Sequence, residues 1–252
     1  MSAIYNIGCS FSYGNCIHSY QKFAQDKKGN HIHISPADII REELDNGWYD
    51  EVINLASPGL SLDGVLRRLY SYDINDGNNL VLVGLPPSDR FQTVAINPRE
   101  EHKNRGLFST DTKWKADAFH YGPGLEIYPD WFKTHRWTSD RLKAVDVDNQ
   151  LLYHSWLNIL LIQNRLRDLN VNYYMYNTVY SSFNYKSELT ELNKIKEQIS
   201  YKYYFQPDLG IADMVDTNKK FKISKDDPHP NHSCYALWCK KFINFMNENP
   251  NM

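Results

Sequence analysis

The sequence predicts a three-layer α/β/α sandwich built on a mostly parallel sheet. Two observations carry that expectation. Short apolar runs alternate with longer segments whose apolar residues recur every three or four positions, as strands and amphipathic helices do in turn. The run Leu80 to Leu85 (LVLVGL) is apolar throughout, with no polar alternation, the pattern of a strand covered on both faces.

Taken in order, Ala3 to Ile7 reads as a short buried strand running into a turn at Gly8 to Ser12. Ser35-Pro36 is a helix start with proline at the first helical position, where its missing N–H is no loss, and Ala37 to Leu44 continues it. Val52 to Leu55 is a second strand, closed by the Ser57-Pro58-Gly59 turn. Ser61 to Tyr70 carries Leu62, Val65, Leu66 and Leu69 as a helical stripe. Leu80 to Leu85 is the third strand, stopped by Pro86-Pro87. The rhythm then breaks from Gln92 to Val147, a stretch rich in charge, aromatics, glycine and proline. An insertion or lid is expected at about 92–147, because loops of that length are rarely idle. Its Trp114, Phe119, His120, Tyr121, Tyr128, Trp131 and Trp137 suit either a cover for a substrate or a small satellite core. Regularity returns in a helix at Leu151 to Leu169, a strand at Val171 to Tyr176 and a helix at Glu188 to Ile199. The last helix follows His229, with Tyr235, Trp238, Phe242 and Phe245 on one side and Pro230 fitting an ordinary helix start. With no internal repeat, residues 1–252 read as one domain.

Composition excludes several function classes. Hydrophobic residues at 42% and charged residues at 23% rule out a disordered, collagen-like or coiled-coil chain. Lys plus Arg number 28 against 30 Asp plus Glu, so neither nucleic acid nor a membrane surface is an expected partner. No apolar run approaches the roughly 18 residues of a membrane span, and the N-terminal MSAIYNIGCS lacks the basic region of a secretory signal. Cys9, Cys16, Cys234 and Cys239 form no C-x-x-C pair and read as free thiols. Gly8 to Gly14 lacks both G-x-x-x-x-G-K-[ST] and G-x-G-x-x-G, which argues against a nucleotide site. His31 and His33 lack a third ligand at metal spacing. Aromatic residues at 14% suit a sugar-contacting surface and a densely packed core equally.

In open parallel sheets, ligands bind outside the carboxyl ends of the strands. Those ends are followed here by Gly8-Cys9-Ser10-Phe11-Ser12, Asn54-Leu55-Ala56-Ser57-Pro58-Gly59 and Gly84-Leu85-Pro86-Pro87-Ser88-Asp89-Arg90. Asp226-Asp227-Pro228-His229-Pro230 stands before the last helix. A serine hydroxyl becomes a nucleophile when an imidazole takes its proton and a carboxylate fixes the imidazole's tautomer. Ser10, His229 and Asp226 supply those three groups, with Asp227 competing for the third role. The backbone N–H of Ser10 is one candidate oxyanion donor, and that of Gly59 a second.

The four segments, in order and spacing, resemble the SGNH (GDSL-type) hydrolases, whose blocks run G-D-S-L, a glycine block, G-x-N-D and D-x-x-H-P. The chain is similar to small phage and environmental-bacterial members that begin G-C-S-F after the first strand. The resemblance implies a flavodoxin-like strand order and a serine esterase working through an acyl-enzyme, with Ser10, Asp226 and His229 as the triad. Ser10 and Gly59 would be its oxyanion donors. It also implies a small-molecule or carbohydrate ester as substrate, an O-acetyl group on a carbohydrate being the best single guess. No metal or organic cofactor is implied, and the expected location is the cytoplasm or a virion. An acyltransferase using the same machinery, and a degenerate fold kept for carbohydrate binding or assembly, are the alternatives. Two positions depart from the family. Its acidic residue before the serine is Cys9 here, and its oxyanion asparagine falls on Pro86, which offers no side-chain donor. Ser88 and Arg90 are the nearby candidates to replace that donor or to bind substrate.

Overall fold

The computed structural model describes residues 2–14, 35–44, 49–56, 60–74, 78–87, 147–185, 187–223 and 229–250, together with the strands at 90–94 and 116–120. Among the described residues, five strands form one sheet. They are β1 (Ala3–Ile7), β2 (Glu51–Asn54), β3 (Leu80–Leu85), β6 (Asn172–Asn177) and β7 (Tyr204–Gly210). Their spatial order is β2-β1-β3-β6-β7 and every adjacent pair is parallel. The remaining two, β4 (Arg90–Val94) and β5 (Ala116–His120), pair antiparallel in a separate ribbon. This is the expected three-layer α/β/α fold with flavodoxin-like order, in which the chain reverses direction across the sheet between β1 and β3.

All six residues of β3 are buried. Successive side chains on a strand point to opposite faces, so both faces of the sheet must be covered. Two groups of helices do this. Helix α3 (Leu62–Ser71) packs on α4 (Val147–Asp168), and α4 packs on α5 (Thr190–Glu197). Helix α2 (Pro36–Leu44) packs instead with the last helix, α7 (His232–Glu248). The expected stripes lie inward: Leu62, Val65 and Leu69 on α3, and Tyr235, Trp238 and Phe242 on α7, are buried. Trp238 stacks on Phe242 at 4.9 Å between ring centroids and meets Tyr176 of β6 at 4.6 Å. Full burial of one such ring is worth about 1.5–3 kcal/mol, so this aromatic column anchors α7 against β6.

Three features differ from the sequence expectation. The turn at Gly8 to Ser12 contains one helical turn, α1 (Ser10–Tyr13). Strand β7 and the helix after it, α6 (Ile211–Thr217), lie in a stretch to which the sequence reading assigns no element. Gln206 at φ 45° and the exposed Asp208 and Leu209 interrupt β7, an edge strand whose pairing slips beside Asn177. Finally, residues 92–147 are partly regular, since they hold the end of β4 and all of β5. Trp114, Tyr121, Tyr128, Trp131 and Trp137, with His31, His33 and Cys16, lie outside the described residues. No helix among the described residues is long and apolar enough to cross a membrane.

Candidate active site

The site begins where β1 runs out. Cys9 remains extended as the N-cap of α1, and Gly14 closes the turn at φ 78°, a left-handed conformation that favours glycine. The N–H of Gly14 donates to the Ser10 carbonyl. Below this turn the structure is tight. Ser12 is fully buried, and its Oγ accepts from the Tyr176 hydroxyl at 2.9 Å. Burial pushes the Tyr176 phenol well above its ordinary value, so it stays a neutral donor. A Cβ on Gly8 would lie 2.7 Å from the Gly84 carbonyl and run into Ser12 Oγ. A Cβ on Gly84 would also strike Ser12 Oγ, and would lie 2.8 Å from the Tyr176 hydroxyl and from Thr178 Cγ2. Two glycines, one on each side of the seam between β1 and β3, thus make room for the buried serine beneath the turn.

Side chains tie the turn to its neighbours. Asn6 Nδ2 donates to the Ser12 carbonyl at 2.7 Å and to Asn54 Oδ1 at 3.0 Å. Asn54 in turn donates to the Tyr13 carbonyl and accepts from the Ala56 N–H, linking the exits of β1 and β2. Cys9 Sγ donates to Thr178 Oγ1 at 3.1 Å, and the Thr178 hydroxyl donates to the Leu85 carbonyl at 2.8 Å. Cys9 is therefore a packed, hydrogen-bonded thiol joining the ends of β1, β3 and β6.

His229 arrives from the other end of the chain. Its carbonyl accepts from the Ile223 N–H at 3.1 Å, and Pro230 forms an antiparallel bridge with Lys222. Pro230 consequently does not start the helix, contrary to the sequence expectation. Asn231 is the N-cap, its side chain accepting from the Cys234 N–H at 3.1 Å. The imidazole is half-buried and lies against Phe11, with ring centroids 5.1 Å apart.

The two expected partners meet. Ser10 Oγ and His229 Nε2 are 3.3 Å apart, although 219 positions separate them in sequence. Ser10 is 7% exposed. It follows the carboxyl end of β1, beside the β1/β3 reversal of strand order, the position where doubly wound sheets bind ligands. Of the other expected residues, Gly59, Ser88, Asp226 and Asp227 lie outside the described residues. Arg90 opens β4, where the backbone alone is described, and Pro86 is buried after β3. Sequence reasoning missed Asn6, Ser12, Asn54, Tyr176 and Thr178. Only Asn231 had a readable signal, as an asparagine just before a helical stripe.

Cys9, Cys234 and Cys239 are free and buried. Burial pushes the Cys234 thiol up to about 11 and raises that of Cys239 further, which makes both poor nucleophiles. Among the described residues, no group of three His, Cys, Asp or Glu side chains could hold a metal ion.

No protein-family model and no curated protein sequence matches the chain. Solved structures do resemble it. The crystal structure of TesA aligns with 98% of this chain and 99% of its own at a TM-score of 0.50 and 12% identity. The esterase EstA from Pseudoalteromonas sp. aligns with 98% of this chain and 97% of its own, at a TM-score of 0.45 and 12% identity. The lipase Lip_vut3 from a goat rumen metagenome aligns over 100% and 98%, at a TM-score of 0.46 and 12% identity. At 12% identity the likeness to TesA shows the fold alone, the three-layer α/β/α architecture that the sequence predicts.

Proposed function

We propose that the chain is a serine esterase whose nucleophile is Ser10 and whose general base is His229. The observation that carries this reading is the 3.3 Å approach of Ser10 Oγ to His229 Nε2 at the carboxyl rim of the sheet. For Nε2 to accept the serine proton, the ring's own proton must sit on Nδ1 and be held there by an acceptor. Asp226, three residues before His229, is the assigned acceptor. Attack of Ser10 Oγ on an ester carbonyl forms the Oγ–C bond and passes the serine proton to Nε2. The imidazolium then returns that proton to the departing alcohol, and water releases the acid by the same route in reverse. The N–H of Ser10 opens α1 and has no acceptor within that helix, so it suits the developing oxyanion; the Gly59 N–H is the second donor in this scheme.

We read residues 1–252 as a single domain carrying an aromatic-rich insertion or lid at about 92–147, and an O-acetylated carbohydrate as the substrate class. Ser88 or Arg90 would supply the donor that Pro86 lacks. Loss of one oxyanion donor costs about 10²–10³-fold in rate, so Pro86 favours one further reading: a slow or degenerate enzyme retained for binding.

The experiment is covalent labelling with a fluorophosphonate probe beside turnover of p-nitrophenyl acetate. Labelling at Ser10 is expected, and Ser10→Ala and His229→Ala should each reduce turnover by a factor on the order of 10⁶. A folded wild-type chain that neither labels nor turns over the ester, yet binds carbohydrate equally well as Ser10→Ala, would establish the binding reading instead.

A further inference from the structure

The nucleophile turn and the histidine segment come from opposite ends of the chain, and the first turn of α7 touches both. Asn231, 7% exposed, donates from Nδ2 to the Lys220 carbonyl at 2.6 Å and to the Lys222 carbonyl at 3.2 Å. Its N–H donates to the Phe221 carbonyl at 2.7 Å. These bonds press the segment from His229 to Asn231 onto the 3₁₀ turn at Lys219–Phe221. One helical turn later, the N–H of Tyr235 donates to the Asn231 carbonyl at 3.1 Å. The Tyr235 ring is fully buried, and its hydroxyl donates to the Phe11 carbonyl at 3.0 Å. Phe11 follows Ser10 directly, and the carbonyls of a helix as short as α1 cannot all find partners within it.

We propose that Tyr235 and Asn231 are positioning residues that together set the separation between Ser10 Oγ and His229 Nε2. One helical turn holds the serine side through Tyr235 and the histidine side through Asn231, so neither partner can drift without breaking a buried or part-buried hydrogen bond. The separation of 3.3 Å lies at the long end of hydrogen-bonding range. A further displacement of about 1 Å would uncouple the pair, a misplacement that costs on the order of 10²-fold in rate. The catalytic consequence rests on the esterase reading; the control of the distance does not.

The test uses two variants that keep the helix. Tyr235→Phe removes one oxygen. Asn231→Asp keeps an acceptor for the Cys234 N–H but presents no donor to the Lys220 and Lys222 carbonyls. Side-chain ¹⁵N NMR of His229 reads the contact directly, with Ser10→Ala as the reference for its loss. Both variants are expected to move the His229 nitrogen shifts toward those of Ser10→Ala and to slow fluorophosphonate labelling by about 10–100-fold. Phe245→Leu, which loosens packing farther along the same helix, should lower Tm and leave the His229 signals in place. His229 shifts unchanged from wild type in both folded variants would overturn the proposal. If the shifts move as expected while the wild-type chain is never labelled, the positioning role stands and the esterase reading falls.

Discussion

The turn that carries Ser10 and the segment that carries His229 are held in different ways. The serine turn is locked from below by the ends of β1, β2 and β6, through Asn6, Asn54, Tyr176 and Thr178, of which all but the half-buried Asn54 are buried. In the histidine segment the imidazole is half-buried, and among the described residues the segment is held by backbone bonds to residues 221–223 and by the Asn231 side chain. A nucleophile must be presented in one orientation to both the base and the oxyanion donors, which rewards a rigid seat. A base must rotate and exchange protons with water during turnover, which rewards a looser one. Rigidity therefore comes from the sheet on one side and from capping chemistry on the other, and each can be broken separately.

The largest effect should come from breaking the rigid side at its tightest point. Gly84→Ala places a methyl against Ser12 Oγ, the Tyr176 hydroxyl and Thr178 Cγ2 at once. Overpacking of this kind costs about 1–3 kcal/mol, and its tightest contact is with Ser12, two residues after Ser10. The expected outcome is a lower midpoint in urea together with a loss of Ser10 labelling in the fraction that remains folded. Normal labelling in a destabilised variant would show that the seat does not govern the nucleophile.

Tyr176→Phe breaks the same side more gently. It takes the donor from the buried Ser12 Oγ and should cost about 1–3 kcal/mol by denaturant unfolding. The phenol also makes a pH prediction. Its pKa is raised in the folded chain, as is that of Tyr204, mainly by burial. A raised folded pKa means that the contribution is fully present below the unfolded value, near 10.0, and is lost as pH rises beyond it. Stability should therefore fall above about pH 10, less steeply in Tyr176→Phe than in wild type.

The same contrast explains what the sequence could disclose. Buried strands announce themselves by composition, so β1 and β3 were legible within a residue. The two side chains that meet, Ser10 and His229, were legible because each stands beside a marked local feature, a strand end for Ser10 and an Asp-x-x-His for His229. The seat under Ser10 was not, because its bonds join residues such as Ser12 and Tyr176, 164 positions apart. No local pattern encodes which buried hydroxyl faces which. Strand β7 was hidden for another reason: an edge strand need not be apolar on both faces, and Gln206-Pro207-Asp208 breaks its run.

The smallest expected effect tests what holds the looser side. Lys222 is bridged to Pro230 through its backbone, while its ammonium lies 3.8 Å from Asp216 Oδ1 at the surface. An ion pair so placed, with Asp216 half exposed, is worth between nothing and about 1 kcal/mol. Lys222→Ala deletes the pair but keeps the carbonyl that accepts from Asn231 and the bridge beside His229. Its Tm and its Ser10 labelling rate should both stay close to wild type, and raising the salt concentration should move neither. If the histidine segment were held by surface charge, Lys222→Ala and high salt would each slow labelling. Capping and backbone bonds predict that Asn231→Asp slows labelling while these two changes do not, because short, largely buried hydrogen bonds to carbonyls are little screened by ions.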